Sequence, residues 1–591
     1  MNLIPLPVVL PLLAAAFLLG ADKILPKRAP DLLALVVAVA VAVVCAMLAA
    51  RSWDTPLTYW FGGWQPQGRL ALGIAFVVDP LGASVALLAA ILFIGSFVFG
   101  WAFFDDVGTR FHVLMLVFLA AMTGFCLTGD LFNFFVFFEL MSVAAFALTG
   151  YKLEASSLEG ALNFTVINSI GSFLMLSGIG LIYARTSALN LAQIGEALSA
   201  GPPDALVAMA CLLVLAALLI KGAILPFHFW LTEAHAVAPT PVCVIFSGMM
   251  VPIALFGIAR LGWALFVPAG VLGGLQTDVL LYAGTVTAVV GGATSLMQRH
   301  VKRLLAFSTI SHMGILLVGV AMLTRPALSG MLLYLLGHSL VKAALFMGAG
   351  ILMSKCQNVD EIELRGKARH LPLTGVAFAL GGLLLAGLPL GAMELGKHDI
   401  DAAAGMRHAW IPFALALGSA LTGAAVLRAT GRIFLGLGPD PGEESQSPGK
   451  PEHEKANRPM WLMLLPAAVF LTFALLVGMH DLTPLAEHLA SHLAAGGPPS
   501  AAGIEIHAVA PPTGATEIPG KLLPWASVAL ALLIAAFELF RDDIPKALTA
   551  AVQAIFGPIF LALDRIHSGH IGDYAAWMMI GLAGLGVAFA F

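Results

Sequence analysis

The sequence predicts an all-α polytopic membrane protein of about 16 transmembrane helices, with two inverted five-helix repeats that contain broken helices. Three observations carry this prediction. Of 591 residues, 60% are hydrophobic and only 11% charged, with a mean hydropathy of +0.94; soluble domains carry about 25% charged residues. The apolar residues fall into runs long enough to cross a bilayer, which takes about 20 residues of helix. Four ionisable side chains, Glu139, Lys221, Lys342 and Lys397, lie inside such runs. A charge there costs about 2.5–3.5 kcal/mol on insertion scales, so it marks an ion pathway, a proton relay or a counter-ion pair.

Spans near 3–21, 31–50 and 74–100 make an N-terminal group, helices 1–3 over residues 1–100. The first has no basic leader and carries Pro5, Pro7 and Pro11, so it reads as a membrane helix and not a cleaved signal. Spans near 111–129, 131–150, 160–184, 205–224 and 241–266 form a first unit, helices 4–8 over residues 101–266, with a break expected after Lys221. Spans near 276–298, 303–323, 328–354, 371–396 and 409–435 form a second, helices 9–13 over residues 276–435. Glu139 and Lys221 are 82 residues apart, His312 and Lys397 are 85 apart, and each lysine has a helix-breaking proline, Pro226 or Pro389, within eight residues. That spacing pairs Lys221 with Lys397. Five spans per unit is odd, so consecutive copies are inverted, an arrangement that places broken helices at the midplane of transporters.

Residues 436–459, rich in Pro, Gly and charge, read as an inside loop. Residues 460–591 hold helices 14–16, near 460–480, 521–540 and 572–591. Between them lie a flexible outside loop over 481–520 and an apolar segment over 544–566, interrupted by Gly557-Pro558 and placed along the membrane surface or the protein flank. With the N-terminus outside, twenty of the 30 basic residues fall in inside loops and seven in outside loops, the rest being the three intramembrane lysines. The excess of basic residues on inside loops puts both termini outside and favours an even number of spans.

The net charge of −4, without a basic stripe, points away from nucleic acid. Five scattered cysteines form no CxxC or His/Cys cluster, so neither an iron–sulfur site nor a disulfide framework is expected. No phosphate loop, nucleophile elbow or metal motif occurs. His567 and His570 are three apart, but Gly569 between them reads as a turn. No cofactor and no metal are expected.

Desolvation favours the neutral form of a buried lysine, and an approaching carboxylate favours the charged form. Glu139 and Lys221 are therefore the natural switching pair. Lys342 has His338 one helical turn before it, and His312, in SerThrIleSerHis, adds the side chain type that changes charge near neutral pH. Lys397 has Glu394 at i−3, is followed by Asp399 and Asp401, and lies near a membrane exit where a terminal donor or acceptor belongs. Plainer readings stand beside these. A lysine near a span end snorkels or pairs statically. His312 and His338 read equally as satisfied core histidines, and His228 and His235 as structural residues at a helix break.

KGAILPFHFWLTEAHAVAPTPV, VKRLLAFSTISHMG, GHSLVKAALFMGAGIL and GLPLGAMELGK resemble motifs of the proton-conducting antiporter-like membrane subunits. That family includes the complex I L, M and N subunits, the Mrp antiporter A and D subunits and the membrane subunits of energy-converting hydrogenases. The resemblance covers roughly residues 70–435 and lies nearest the Mrp D and hydrogenase-type members. It implies two inverted repeats, each with a broken helix. It also implies that Glu139 is the carboxylate of the fifth helix, Lys221 the lysine of the broken seventh, Lys342 the basic residue of the eleventh with His338 a turn earlier, and Lys397 the ionisable residue of the broken twelfth.

Pro252 stands where several members carry an eighth-helix lysine, which leaves the middle of the relay to water, His312 or Ser247. Glu394 is unusually close to Lys397 and reads as a partner able to lock it in an ion pair. Segment 544–566 occupies the place of the complex I L subunit's lateral helix but is much shorter, and RIHSGHIGDYAAW resembles the tail of the larger members. The expected function is proton translocation, or sodium/proton antiport, by one subunit of a multi-subunit inner-membrane complex. The expected partners are other membrane subunits, lipids and the transported ions, with no redox chemistry in this chain. A stand-alone antiporter and a non-pumping anchor subunit are the alternatives.

Overall fold

Inside a bilayer every backbone polar group needs a partner within the protein, which leaves helices as the way for this chain to cross. The computed structural model describes residues 3–67, 71–104, 107–200, 204–269, 275–438, 460–494, 522–567 and 569–590. Helices α1 (Leu6–Ala21) and α2 (Ala29–Arg51) lead to a hairpin of strands β1 (Leu57–Trp60) and β2 (Ala75–Val78), antiparallel with Leu57 opposite Val78. Next come α3 (Pro80–Phe103), α4 (Thr109–Leu127), α5 (Leu131–Thr149), α6 (Ala155–Thr186), the short α7 (Leu191–Ser199), α8 (Ala205–Lys221), α9 (Phe229–Val237), α10 (Thr240–Ile245) and α11 (Pro252–Leu261). Then follow α12 (Leu275–Met297), α13 (Val301–Met322), α14 (Arg325–Cys356), α15 (Pro372–Leu385), α16 (Ala392–Arg407) and α17 (Ile411–Thr430). The chain ends with α18 (Met460–Met479), α19 (Thr483–Ala494), α20 (Leu523–Leu539), α21 (Lys546–Ile566) and α22 (Ile571–Ala590).

Among the described residues 13 helices are long and apolar enough to cross a membrane, and α1, α8, α15 and α20 are shorter apolar helices. The protein is thus an all-α polytopic membrane protein apart from the small hairpin, whose aromatic and β-branched residues (Tyr59, Trp60, Phe76, Val77, Val78) suit strands. The continuous Thr240–Phe266 segment and α13 are buried on all sides, as expected of helices that are apolar all round. They form the centre of the molecule.

Two apolar runs break. The first stops at Lys221 and resumes at Phe229; the second stops at Leu385 and resumes at Ala392. Groups freed at the breaks are paired by side chains from elsewhere. The Trp230 indole donates to the Ile220 carbonyl (3.0 Å), the Leu225 N–H donates to Thr287 Oγ1 on α12 (3.2 Å), and Ser527 of α20 donates to the Ala386 carbonyl (2.7 Å). A second feature also recurs. Asp130 at the start of α5 bridges to Asn190 beyond α6, and His300 at the start of α13 bridges to Asp360 beyond α14, sixty residues on in each case.

Three sequence expectations change. Residues 481–520 are not all loop, because Thr483–Ala494 forms α19 and packs against α14 and α3; residues 495–520 lie outside the described residues, as do 439–459 of the expected inside loop. Segment 544–566 is not interrupted at Gly557-Pro558, since α21 runs through Pro558; it has no buried residue and touches α12. The run expected over 371–396 extends to Arg407 as two half-helices.

Candidate ion-conducting axis

Glu139 lies half-buried on α5, two turns past the Asp130 side chain that caps the helix by accepting from the Asn133 N–H (2.8 Å). Its carboxylate accepts a short hydrogen bond from Ser172 of α6. Lys221, the last residue of α8, is fully buried. Its ammonium donates to Ser142 Oγ (2.5 Å) and sits 4.7 Å from the Phe138 ring centre, a cation–π contact. Ser142 lies at i+3 from Glu139, so acid and amine are attached to one seam of α5. No ion pair joins Glu139 directly to Lys221 among the described residues; the serine hydroxyls hold each separately.

The middle of the molecule has the polar set expected from SerThrIleSerHis. Pro252 is accommodated by a π-helical turn, Phe246–Met250, which loosens the ladder just before the residue that lacks an N–H. Ser247 in that turn shares a hydrogen bond with Thr309 of α13 (2.7 Å). The adjacent Ser308 accepts from Lys342 Nζ (2.5 Å), which also donates to the Leu305 carbonyl (2.5 Å). One turn along α13, His312 bonds Tyr334 Oη through Nδ1 (2.5 Å) and Thr422 through Nε2 (3.3 Å). The His338 ring lies 5.5 Å from that of His312, and neither of its nitrogens has a hydrogen-bond partner among the described residues.

Helix α14, carrying Tyr334, His338 and Lys342, meets α16 backbone to backbone. A Cβ on Gly330 would lie 2.5 Å from the Gly396 carbonyl oxygen, and one on Gly337 would lie 2.6 Å from the Met393 nitrogen. Small residues let membrane helices approach this closely. Lys397, 3% exposed, sits within α16. Lys221 precedes its break whereas Lys397 follows the other, so the two do not occupy matching positions.

Nor does Glu394 lock Lys397. Asp401, one turn on, takes the ammonium at 2.5 Å, while Glu394 Oε2 has no hydrogen-bond partner among the described residues. The Glu394 carboxylate is directed at the break instead, where a Cβ on Gly387 (φ +94°) would lie 2.9 Å from Oε2. Only glycine suits that position on both counts.

Several buried polar residues have surroundings that the sequence reading did not give. Lys302 looks like a loop cation but is fully buried and donates to the Ala238 carbonyl (2.8 Å). His235, also fully buried, stacks on Phe346 (4.6 Å) with both ring nitrogens unpartnered among the described residues. Arg260 of α11 pairs with Asp79, the N-cap of α3. Glu361, in the connection after α14, receives Arg428 (3.0 Å) and Arg432 (2.5 Å); burial pushes its carboxyl up and the two guanidiniums pull it back. Only the i,i+4 spacing of Lys397 and Asp401 offered a local signal. The pairs made by Lys302, Arg260 and Glu361 join residues more than sixty positions apart.

Residues 128–422 match the family described as "NADH:quinone oxidoreductase/Mrp antiporter, TM". The Na(+)/H(+) antiporter D subunit of Bacillus subtilis (strain 168) is 28% identical over 484 residues, 81% of this chain and 94% of that one. The NADH-quinone oxidoreductase N subunit of Desulforudis audaxviator is 30% identical over 401 residues, 67% of this chain and 79% of that one. A chain in the structure of the Mrp complex from Dietzia sp. DQ12-45-1b aligns with a TM-score of 0.73 at 26% identity, covering 83% of this chain and 97% of that one. The buried acid–amine series and these likenesses agree: the chain belongs to the family of membrane subunits shared by NADH:quinone oxidoreductases and Mrp antiporters.

Proposed function

We propose that the chain is an ion-translocating subunit of a multi-subunit membrane complex, moving protons, or exchanging them for sodium, along Glu139, Lys221, the Lys342/His338/His312 group and Lys397 with Glu394. One observation carries the proposal. Each buried lysine of this series is attached to a hydroxyl or a carboxylate, Lys221 to Ser142, Lys342 to Ser308 and Lys397 to Asp401, so each has a neighbour able to take or supply a proton. In this reading Glu139 and Lys221 change separation when the first break flexes, and Lys221 releases its proton when its carboxylate withdraws. Ser247, Thr309 and His312 serve the middle, where Pro252 supplies no charge. Unpartnered buried atoms such as Asn168 Oδ1 and the His338 nitrogens are of the kind water satisfies in protein interiors. Glu394 and Lys397 form the far end.

The relatives named as antiporter and oxidoreductase subunits support assignment to a larger complex. The excess of inside basic residues supports an inner-membrane orientation with both termini outside. The recurring breaks and bridges support two inverted repeats.

The test is translocation by the assembled complex in vesicles. Glu139→Ala and Lys221→Ala should each abolish coupled ion movement while the complex still assembles, and wild-type pumping in both sinks the proposal. Transport by the purified single chain would instead mark a stand-alone antiporter.

A further inference from the structure

The last helix presents one buried face. Tyr574, Met578 and Leu585 of α22 are buried at helical spacing, while Met579, Ile580 and Val587 are exposed. That face lies on the first helix break. A Cβ on Gly581 would meet Pro226 Cγ at 2.5 Å and the Phe227 ring at 2.9 Å, and the Tyr574 ring stacks on Phe229 at 4.4 Å and 10°. The turn before α22 is tied in by the Gly569 N–H donating to Tyr574 Oη (3.0 Å).

At the head of this strap His567 lies between Phe229 and Phe307, each 5.2 Å away, and its Nε2 is 3.0 Å from His228 Nε2. The tautomers follow from the partners. His567 Nδ1 faces the Leu563 carbonyl at 2.7 Å and must donate to it. In the neutral ring Nε2 then accepts, so His228 Nε2–H is the donor. His228 stands in the break, seven residues past Lys221, and no step of the relay uses it.

We infer that α22, with His567 and Gly569 ahead of it, forms a clamp on the first helix break of the same chain, with His567 the positioning residue that holds His228 and restrains the end of the half-helix carrying Lys221. Its transport consequence rests on the proposed translocation; its structural consequence does not.

The experiment uses the full chain in its complex, in nanodiscs for hydrogen exchange and in vesicles for transport, comparing wild type, His567→Ala and His567→Gln. A glutamine carbonyl can accept from His228 Nε2–H, whereas alanine cannot. The expected result is amide exchange of residues 222–231 about tenfold faster in His567→Ala, as for a locally opened segment, with turnover changed, the ion KM unchanged, and both restored within about twofold by His567→Gln. Unchanged exchange in His567→Ala, or no rescue by His567→Gln, overturns the clamp. Should His567→Ala not assemble, Gly581→Val presses on Pro226 and Phe227 and is read in the same assays with the same expected directions. A wild-type complex that moves no ions counts against the translocation function alone, because the exchange comparison still decides the clamp.

Discussion

Replacing Asp401 by alanine tests how the second half of the axis is held. Asp401 is the only side chain hydrogen-bonded to the Lys397 ammonium among the described residues, at 2.5 Å, and both groups are largely shielded from solvent. Removing one partner of such a pair leaves an uncompensated buried charge, which costs about 3–5 kcal/mol. Lys397 can escape that cost by losing its proton. Since 1.4 kcal/mol is a factor of ten, its charged form should then become rarer by about two to three and a half orders of magnitude. Turnover should fall by at least about tenfold once the lysine cannot hold a proton.

The assay is pH-sensitive dye quenching in vesicles holding the assembled complex, read beside its thermal melting. Lys397→Met with Asp401→Leu separates stability from function. Both charges are then gone, so melting should recover to within a few degrees of wild type, about 1 kcal/mol or less, while turnover does not recover from its Asp401→Ala level. Wild-type translocation by Asp401→Ala, or a double variant no more stable than the single one, refutes the reasoning.

Three further outcomes are expected. Ser142→Ala removes a hydrogen bond to the charged Lys221, worth about 1.5–3 kcal/mol, and should lower turnover about tenfold or more without loss of assembly in native gels. Gly387→Ala places a Cβ at φ +94° and 2.9 Å from Glu394 Oε2, and should lower the melting temperature by several degrees, about 1–3 kcal/mol; an unchanged melting curve contradicts the placement of Glu394. Docking of the strap should also depend on pH. Burial holds His567 below its ordinary 6.5, against opposing contributions from the Leu563 carbonyl and Asp564. The docked state therefore binds fewer protons, so docking is at full strength above pH 6.5 and weakens as pH falls below it. Asp573, Glu233 and Arg303 stand around the neighbouring Tyr574, and His228 faces the ring directly. Protection of residues 222–231, corrected for the intrinsic pH dependence of amide exchange, should thus fall between about pH 7.5 and about pH 5.5, and a flat protection factor in that range contradicts it.

Much of this was legible in the chain because membrane burial makes a misplaced charge conspicuous. Glu139, Lys221 and Lys342 stand out against apolar neighbours, and Pro226 announced the first break. Lys397 was harder to place. The second half-helix, with Glu394, His398, Asp399 and Asp401, is polar enough to read as the end of a span, and it is buried by the glycine-lined face of α14 together with α18, α13 and α17. Lys302 and Arg260 misled for the opposite reason: near helix ends in sequence they look like loop cations, yet one reaches a carbonyl beyond α9 and the other a cap on α3. Ser142 and Ser172 carry no signal at all, since serine is common in membrane helices and its role depends on which helix faces it.

The serines, threonines and tyrosine that attach the lysines and His312 have a consequence of their own. A hydroxyl donates one hydrogen and accepts through two lone pairs, and it turns over at little cost. A row of them is a conductor without a diode: it relays charge equally well toward either end. In the proposed relay, rectification therefore falls to groups other than Ser142, Ser308 and Tyr334, and the two helix breaks are the elements able to supply it. With the driving gradient reversed, the same row would return the current and run the machine backwards.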